Sequence, residues 1–280
     1  MKNIAILSSS TRKVNMAMNS WEVSDAFGSK VEPLIPRARR DSNREYQRRR
    51  GAGRKPLEAR RVFEGIVYVL RTGIQWKALP REYGSSSSIH RYFQRWSKAG
   101  LFQKLWKKGL AEYDELEGIS WRWQSIDGAM NKAPLAREAV GPNPTDRKKN
   151  GTKRHVLVDE RGIPLSIVVT GANRNDVTQV NAVLSARMRK PRRRTKQNFC
   201  ADAGYTGSGE VMKAYRYIPH IRPRGEERGY KARRWIVEVA HSWFNRFRKL
   251  LVRFEKTHAA YEALLQLAAC VIIYRKFAVI

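Results

Sequence analysis

The sequence predicts an α/β protein in which a helical first part precedes a mixed β-sheet covered by helices. Two observations predict this class. Between Leu57 and Tyr113, apolar residues recur at helical spacing, whereas from Trp121 onward short β-rich runs alternate with helical patterns. The order after Trp121 is β-β-β-α-β-α-β-α with a further apolar helix after the last, and such alternation is typical of one sheet with helices packed on it.

The chain divides into three predicted regions, 1–22, 23–115 and 116–280. Residues 1–22 are rich in Ser and Asn and show no clear period, so we expect an extension that is poorly ordered. The second region begins with Ser24 and Asp25, which can cap a short helix. It continues with a basic polar stretch at 37–55, which we interpret as an arm or linker.

Three helical patterns follow the arm. The first spans Leu57 to Thr72 and ends at Gly73, and the third spans Leu101 to Tyr113. The second follows a Ser-rich turn, repeats aromatic residues at helical spacing around Phe93, and carries basic side chains. A turn before a basic, aromatic helix suggests a helix-turn-helix-like DNA-binding module, with a plain helical bundle as the alternative.

The third region supplies five predicted strands and four predicted helices. The strands are Trp121–Ile126, Arg154–Val158, Pro164–Thr170, Asn198–Ala201 and Tyr217–Ile221. The helices are Val177–Met188, Gly209–Tyr215, Arg234–Phe254 and Tyr261–Phe277. The second and third strands are joined by a hairpin-type turn, so we expect a mixed five-stranded sheet flanked by helices.

The charge of the chain indicates an anionic partner. Its 280 residues include 56 Lys and Arg against 25 Asp and Glu, a net charge of +31. So large a positive field opposes compaction unless an anionic partner offsets it. Nucleic acid is the commonest such partner, because cations that contact phosphates release counterions, and an anionic membrane surface is the alternative.

The cysteine content and the apolar pattern indicate the compartment. The two cysteines, Cys200 and Cys270, give no disulfide framework, which favours a reducing compartment. Uncharged apolar runs stay well short of a membrane span, and the apolar opening segment lacks the features of a signal peptide. We therefore expect a cytoplasmic, nucleoid-associated protein that does not bind membranes.

Two aspartates share one local context. Asp127 and Asp202 each follow a short predicted strand and precede a Gly-containing turn. Loops at strand ends are where α/β sheets usually place active sites. Asp also caps turns very commonly, so capping is the alternative function of each residue taken alone.

Glu238 lies near the start of the predicted helix Arg234–Phe254. The stripe that steps from it by three or four residues is otherwise polar or basic, and it includes Ser242, Asn245, Lys249 and Arg253. One interpretation is a weak ion pair with Arg234. The other is a metal ligand at the head of a phosphate-binding face.

Three carboxylates brought together would repel one another and would be stable only around cations. Mg²⁺ suits such a site, because it is a hard ion that takes one or two carboxylates, keeps waters and binds phosphates. Two ions of this kind can activate the attacking oxygen and stabilise the leaving oxygen in phosphoryl transfer. We therefore expect Mg²⁺ or Mn²⁺, with two ions.

The chain resembles bacterial insertion-sequence transposases of the IS5 group, within an IS4/IS5-like superfamily. The resemblance runs from about Val23 to the end and rests on many short blocks in order. These blocks are 31–36, 53–56, 70–80, 125–128, 141–147, 151–155, 170–173, 201–205, 234–238, 242–248 and 253–256.

The resemblance implies a DDE transposase with an RNase H-like catalytic domain. Asp127, Asp202 and Glu238 would be the catalytic metal ligands. An N-terminal helical module would bind the terminal inverted repeats of the element, and a homodimer would hold two DNA ends. Two positions depart from the family: Val239 replaces a basic residue after the Glu, and Lys231 stands where many members have Tyr.

The implied reaction starts when metal-activated water cuts double-stranded DNA at the element ends, and the freed 3′-hydroxyl then joins target DNA. The candidate phosphate contacts share a positive charge, and a solvated basic face is their alternative interpretation. They are Arg54, Lys55, Arg91, Arg95, Lys148, Lys149, Lys153, Arg154, Arg246, Lys249 and Arg253. Two rival functions are a non-catalytic, sequence-specific DNA-binding protein derived from a transposase and another RNase H-like nuclease.

Overall fold

The computed structural model describes residues 22–36, 43, 45, 47, 49, 55–191, 195–221 and 235–276. Its helices are α1 (Asp25–Val31), α2 (Ala59–Thr72), α3 (Ser86–Lys98), α4 (Leu101–Leu116), α5 (Val180–Ser185), α6 (Gly209–Ala214), α7 (Trp235–Asn245) and α8 (His258–Lys276). Its strands are β1 (Trp123–Lys132), β2 (Gly141–Pro142), β3 (Asn150–Asp159), β4 (Pro164–Gly171), β5 (Gln197–Ala201) and β6 (Tyr217–Ile221).

Strand β1 lies at the centre of one mixed sheet. It pairs antiparallel with β3 on one side and parallel with β5 on the other. Strand β4 continues the sheet antiparallel to β3, and β6 continues it parallel to β5. The order β4-β3-β1-β5-β6 is RNase H-like and confirms the expected fold class. A sixth strand, β2, pairs with the first two residues of β3 and is too short to give a periodic signal.

The strands β1 and β3 are longer than predicted, and this corrects the position of Asp127. Its strand does not end at Ile126 but runs to Lys132, paired with β3 throughout. The parallel pairing of β1 with β5, however, stops at Ser125. The apolar pattern missed the second half of β1 because the side chains there are only partly buried.

The predicted helix Arg234–Phe254 is wrong in its second half. Helix α7 ends at Asn245, and a separate 3₁₀ turn spans Arg248–Leu250. Phe247 between them has extended backbone and a buried side chain, so the helix does not continue there. The predicted helix Val177–Met188 is likewise shorter, because its start is a 3₁₀ turn at Asp176–Gln179.

The predicted helices of the first part are present as α2, α3 and α4. Ser24 caps α1, as predicted, by accepting a hydrogen bond from the Phe27 amide at 3.1 Å. Helix α4 packs along α8, where Gly109 faces Tyr274. The helical part and the sheet therefore share one hydrophobic core, although the predicted boundary at 115/116 falls at the end of α4. No helix in the described ranges is long and apolar enough to cross a membrane.

Trp106 joins α4 to the sheet and provides a test of this shared core. Its indole is fully buried and donates a hydrogen bond to the Pro164 carbonyl at 3.2 Å. We expect Trp106→Ala to lower the free energy of unfolding by about 3–5 kcal/mol, because it opens a large cavity. Chemical denaturation followed by fluorescence and circular dichroism should still show one transition.

The matched variant is Trp106→Phe, which keeps most of the buried ring and loses the hydrogen bond. We expect a loss of about 1 kcal/mol from that bond, plus a smaller packing term. Two separate transitions, with only one moved by Trp106→Ala, would instead show that the two predicted domains unfold independently.

Candidate active site

Asp127 lies on β1, and Asp202 lies at the corresponding position directly after the neighbouring strand β5. The parallel register pairs Ser125 with Cys200, and each aspartate follows two residues later. Neighbouring strands lie about 4.8 Å apart, and residues two positions apart share a face. Both aspartates therefore lie just beyond the last parallel pair of β1 and β5, and both side chains are partly exposed.

Both aspartates also cap their own turns. Asp127 Oδ1 accepts a hydrogen bond from the Gly128 amide at 2.8 Å, and Asp202 Oδ1 accepts one from the Gly204 amide at 2.9 Å. Capping and a second function are compatible, because each carboxylate has two oxygens and several lone pairs. The local hydrogen bonds fix the orientation of both groups.

The face that carries Asp127 is the face that α7 covers. Asp127 pairs with Val156 across the β1–β3 ladder, so their side chains share a face with Arg154, two residues away on β3. Arg154 contacts α7 directly. The imidazole of His241 on α7 also faces the Asp127 backbone. Glu238 lies on the same helix, one turn before His241, and its side chain is exposed.

Arg154 fixes α7 on the sheet. Its guanidinium is 1% exposed and donates to His241 Nδ1 and to the His241 carbonyl, both at 3.3 Å. It also donates to Asn245 Oδ1 at 2.7 Å, and its cation lies 5.4 Å from the centre of the Phe244 ring. Burial lowers the pKa of Arg154, and burial together with the Arg154 charge lowers the pKa of His241 to about 3. His241 is therefore neutral and accepts from the guanidinium.

The donor set suits a hard divalent cation only in part. Carboxylate oxygens are the ligands that Mg²⁺ and Mn²⁺ prefer, and Asp127 and Asp202 offer them from adjacent strands. Within the ranges that the structure describes, no three His, Cys, Asp or Glu side chains form a ready-made metal cluster. The two candidate ligands Asp127 and Asp202 thus lie on or directly after strands of the sheet, whereas Glu238 belongs to a separate helix.

Three of the predicted phosphate contacts line one pocket on the helical part. Lys55, Arg91 and Arg95 are exposed around a cavity of about 480 Å³ between the start of α2 and α3. Arg61, which the sequence analysis did not single out, lines the same pocket. The Arg95 guanidinium lies 4.5 Å from the centre of the Tyr92 ring. Arg54 falls outside the described residues.

Four predicted phosphate contacts are buried and have partners inside the protein. Arg154 binds α7, and Lys153 donates to Asp176 at 3.0 Å. Lys249 lies 3.5 Å from a Glu255 oxygen, and Arg253 donates to backbone carbonyls of Ala139 and Glu255. The exposed basic face expected for Lys249 and Arg253 is therefore corrected, because the helix that would have displayed it ends at Asn245. Lys148, Lys149 and Arg246 are exposed.

The sequence analysis missed a second polar group behind the aspartates. Asp176 lies 3.1 Å from His155 Nδ1 and accepts from Lys153, and both partners extend from β3. Burial raises the pKa of Asp176, but the hydrogen bonds from His155 and Lys153 outweigh it and leave the pKa lowered. In the sequence Asp176 directly precedes the predicted helix Val177–Met188, and in the structure the capping hydrogen bond there is accepted by Asn175.

The buried phenol of Tyr205 connects the two polar groups. Burial raises its pKa, and the charges of Asp176, Asp127 and Asp202 raise it further. The charges of three carboxylates from three segments therefore all raise the pKa of one hydroxyl. The aspartates and Asp176 form one connected electrostatic environment around the end of β5.

An RNase H-like sheet with two central carboxylates is an arrangement that metal-dependent enzymes acting on nucleic acids use. Comparison with known families narrows this class. Residues 23–106 match a family described as "Putative transposase of IS4/5 family", and residues 124–273 match the "Transposase DDE domain". The chain belongs to the IS4/5-type insertion-sequence transposases with a DDE catalytic domain, and it is a DNA transposase that depends on divalent metal.

Curated relatives agree with this assignment. The "Putative transposase for insertion sequence element IS402" from Burkholderia cepacia is 36% identical over 148 residues, covering 49% of this chain and 70% of the relative. An uncharacterized 16.2 kDa protein of insertion element IS402 from the same organism is 29% identical over 126 residues, covering 44% of this chain and 80% of that protein.

Among solved structures, a pre-cleavage Mos1 transpososome aligns over 82% of each chain with 10% identity and a TM-score of 0.28. The catalytic domain of Mos1 mariner transposase aligns over 62% of this chain and 91% of its own, with 9% identity and a TM-score of 0.27. Scores this low carry no argument, and the assignment rests on the family matches.

The anchoring of α7 by Arg154 can be tested on the helix itself. We expect Asn245→Ala to lower the free energy of unfolding by about 1.5–3 kcal/mol, because it leaves a buried cation without its shortest hydrogen bond. The matched control is Ser242→Ala on the same helix, where the exposed hydroxyl bonds only the Val239 carbonyl in its own helix. We expect that control to stay within about 0.5 kcal/mol of wild type. Urea denaturation measures both, and equal effects would contradict the anchor.

Proposed function

We propose that the protein cuts DNA at the ends of its insertion sequence and joins the freed ends to target DNA, with Asp127, Asp202 and Glu238 holding the metal. The observation that supports the proposal is the register of β1 and β5, because Asp127 and Asp202 each follow the parallel pair Ser125 and Cys200 by two residues. Glu238 lies on α7, one turn from the residue that faces the Asp127 backbone.

Both chemical steps fit a site without a nucleophilic side chain. In the first step the oxygen of water attacks phosphorus and the bond to the 3′-oxygen breaks, which leaves a 3′-hydroxyl and a 5′-phosphate. In the second step that hydroxyl attacks a target phosphate and displaces a new 3′-oxygen. When bound, divalent metal supplies positive charge that activates the attacking oxygen and stabilises the leaving one.

The chain's own residues would orient the ligands during these steps. The amides of Gly128 and Gly204 hold one oxygen of each aspartate, so that the second oxygen can face a cation. Arg154 holds α7 against β3 and thereby limits how far Glu238 can lie from the aspartates. Metal binding would draw the three carboxylates together by neutralising their repulsion.

We further propose that the pocket beside α3 binds the backbone of the element end. Four cationic side chains converge on it: Lys55, Arg61, Arg91 and Arg95. The hydroxyls of Ser85 and Ser88 line the same cavity at the start of α3, where backbone amides also favour anions. A homodimer on DNA is the expected assembly, because two ends must be brought together for joining.

The triad assignment predicts a separation of binding from cleavage. We expect Asp127→Asn, Asp202→Asn and Glu238→Gln each to reduce Mg²⁺- or Mn²⁺-dependent nicking of a labelled element-end duplex at least 100-fold. End binding in a gel-shift assay should remain within threefold of wild type. The control is Glu210→Gln, which neutralises an exposed carboxylate on α6.

The rival functions give different results in the same assays. Nicking that survives Asp127→Asn and Glu238→Gln would contradict the triad. End-specific binding by wild type without metal-dependent nicking would favour a non-catalytic DNA-binding protein. Cleavage indifferent to the end sequence would favour another RNase H-like nuclease.

The pocket predicts a salt-dependent contribution to DNA affinity. We expect Arg61→Ala, Arg91→Ala and Arg95→Ala each to weaken end binding and to reduce the slope of log K against log salt by about 0.9. The matched controls are Lys104→Ala and Lys107→Ala, which remove exposed cations of α4 that do not line the pocket. Fluorescence anisotropy at several salt concentrations measures the slopes. Equal slope changes in pocket and control variants would show that the pocket is only part of a diffuse basic surface.

A further inference from the structure

The structure points to a positioning residue on the opposite face of the sheet from α7. We propose that Asp176, held by Lys153 and His155, fixes the backbone of β1 where Asp127 emerges, and thereby positions the metal-binding carboxylates. This inference rests on the proposed function of the triad.

The first argument comes from strand register. Gly128 pairs with His155 across the β1–β3 ladder, so both point to the face away from Asp127 and Arg154. Lys153, two residues from His155, points the same way. Asp176 reaches this face from the turn after β4 and meets all three residues. Asp127 and Asp176 thus approach one short segment of β1 from its two sides.

The second argument is the close fit at Gly128. A Cβ atom added there would overlap Asp176 Oδ1 and lie 3.0 Å from Lys153 Cδ. Only a residue without a side chain lets the carboxylate approach the backbone directly beside Asp127. The Asp127 side chain itself bonds the Gly128 amide, so a shift of Gly128 moves the catalytic carboxylate.

The third argument is that the Asp176 carboxylate is locked in place. Lys153 Nζ donates to Asp176 Oδ2 at 3.0 Å and to the Arg174 carbonyl at 2.9 Å, and its side chain is only 9% exposed. His155 is fully buried and also contacts the Thr170 hydroxyl at 2.9 Å. An ion pair with this much burial and this many contacts holds the turn rigidly to β3, unlike an exposed surface pair.

The fourth argument is electrostatic contact with the site. The charges of Asp176, Asp127 and Asp202 all reach the buried Tyr205 hydroxyl. Asp176 therefore belongs to the surroundings of the proposed metal ligands, and Lys153 and His155 contact its carboxylate. Groups that orient metal ligands from behind typically change metal affinity or activity by 10–100-fold when removed.

Three variants test the proposal. Asp176→Asn removes the charge at nearly constant volume. The double variant Lys153→Met with Asp176→Asn removes both charges, so that no buried cation is left unpaired. Gly128→Ala displaces the carboxylate without changing any charge. The control is Glu112→Gln, which breaks the ion pair with Lys30 (2.6 Å), far from the site and of similar exposure.

The measurements are thermal melting, Mn²⁺ binding to the protein without DNA by electron paramagnetic resonance, end binding by gel shift, and single-turnover nicking. We expect the double variant and Gly128→Ala to keep end binding and to melt within a few degrees of wild type. We expect Mn²⁺ affinity to fall about tenfold and nicking to slow by 10–100-fold, while Glu112→Gln matches wild type in both.

Outcomes that overturn the inference are distinct from failure of the proposed function. Wild-type nicking and wild-type Mn²⁺ affinity in a folded double variant would show that Asp176 does not position the site. Slower nicking with unchanged Mn²⁺ affinity would assign Asp176 a general structural role and would also overturn it. If Asp176→Asn fails to fold, the Mn²⁺ affinity and nicking of Gly128→Ala and of the double variant decide whether Asp176 positions the site. An absence of metal-dependent nicking by wild type, by contrast, would refute the proposed function.

Discussion

The buried guanidinium of Arg154 constrains where the helix with Glu238 can lie. A cation taken out of water is costly unless its donors are paired, and three hydrogen bonds of Arg154 go to His241 and Asn245 on α7. Strand β3 and α7 therefore fit together in one position. Since the β1–β3 register is fixed by nine residue pairs, the same interaction relates Glu238 to Asp127. A charge that the sequence suggested for phosphate binding instead holds the helix against the sheet.

Strand β3 supports the site from both faces because its side chains alternate. Arg154 points to α7, whereas Lys153 and His155 on either side point to Asp176. A one-residue slip of register would exchange these sets and leave three polar groups without partners. Long, continuous pairing of β3 with β1 and β4 makes such a slip costly, and so the position of Asp127 depends on the whole ladder.

The large positive charge of the chain has two uses that sequence alone does not separate. Some cations, such as Lys249 and Arg253, are buried and neutralised or hydrogen-bonded inside the fold. Others, such as Arg91 and Arg95, stay exposed around a pocket. Which use a residue has depends on where each helix ends: α7 ends at Asn245, and Phe247 after it has extended backbone and a buried ring.

The sequence by itself determined the order of elements, the RNase H-like class and the transposase family, because periodicity and ordered motifs are local properties of the chain. It also nominated Asp127, Asp202 and Glu238, and their common role as metal ligands remains a proposal. Only the tertiary structure decided that α7 stops at Asn245, that four nominated cations are buried, and that Asp176 lies behind Asp127. These features depend on cross-strand register and on which side chains the core encloses, and both join residues far apart in the sequence.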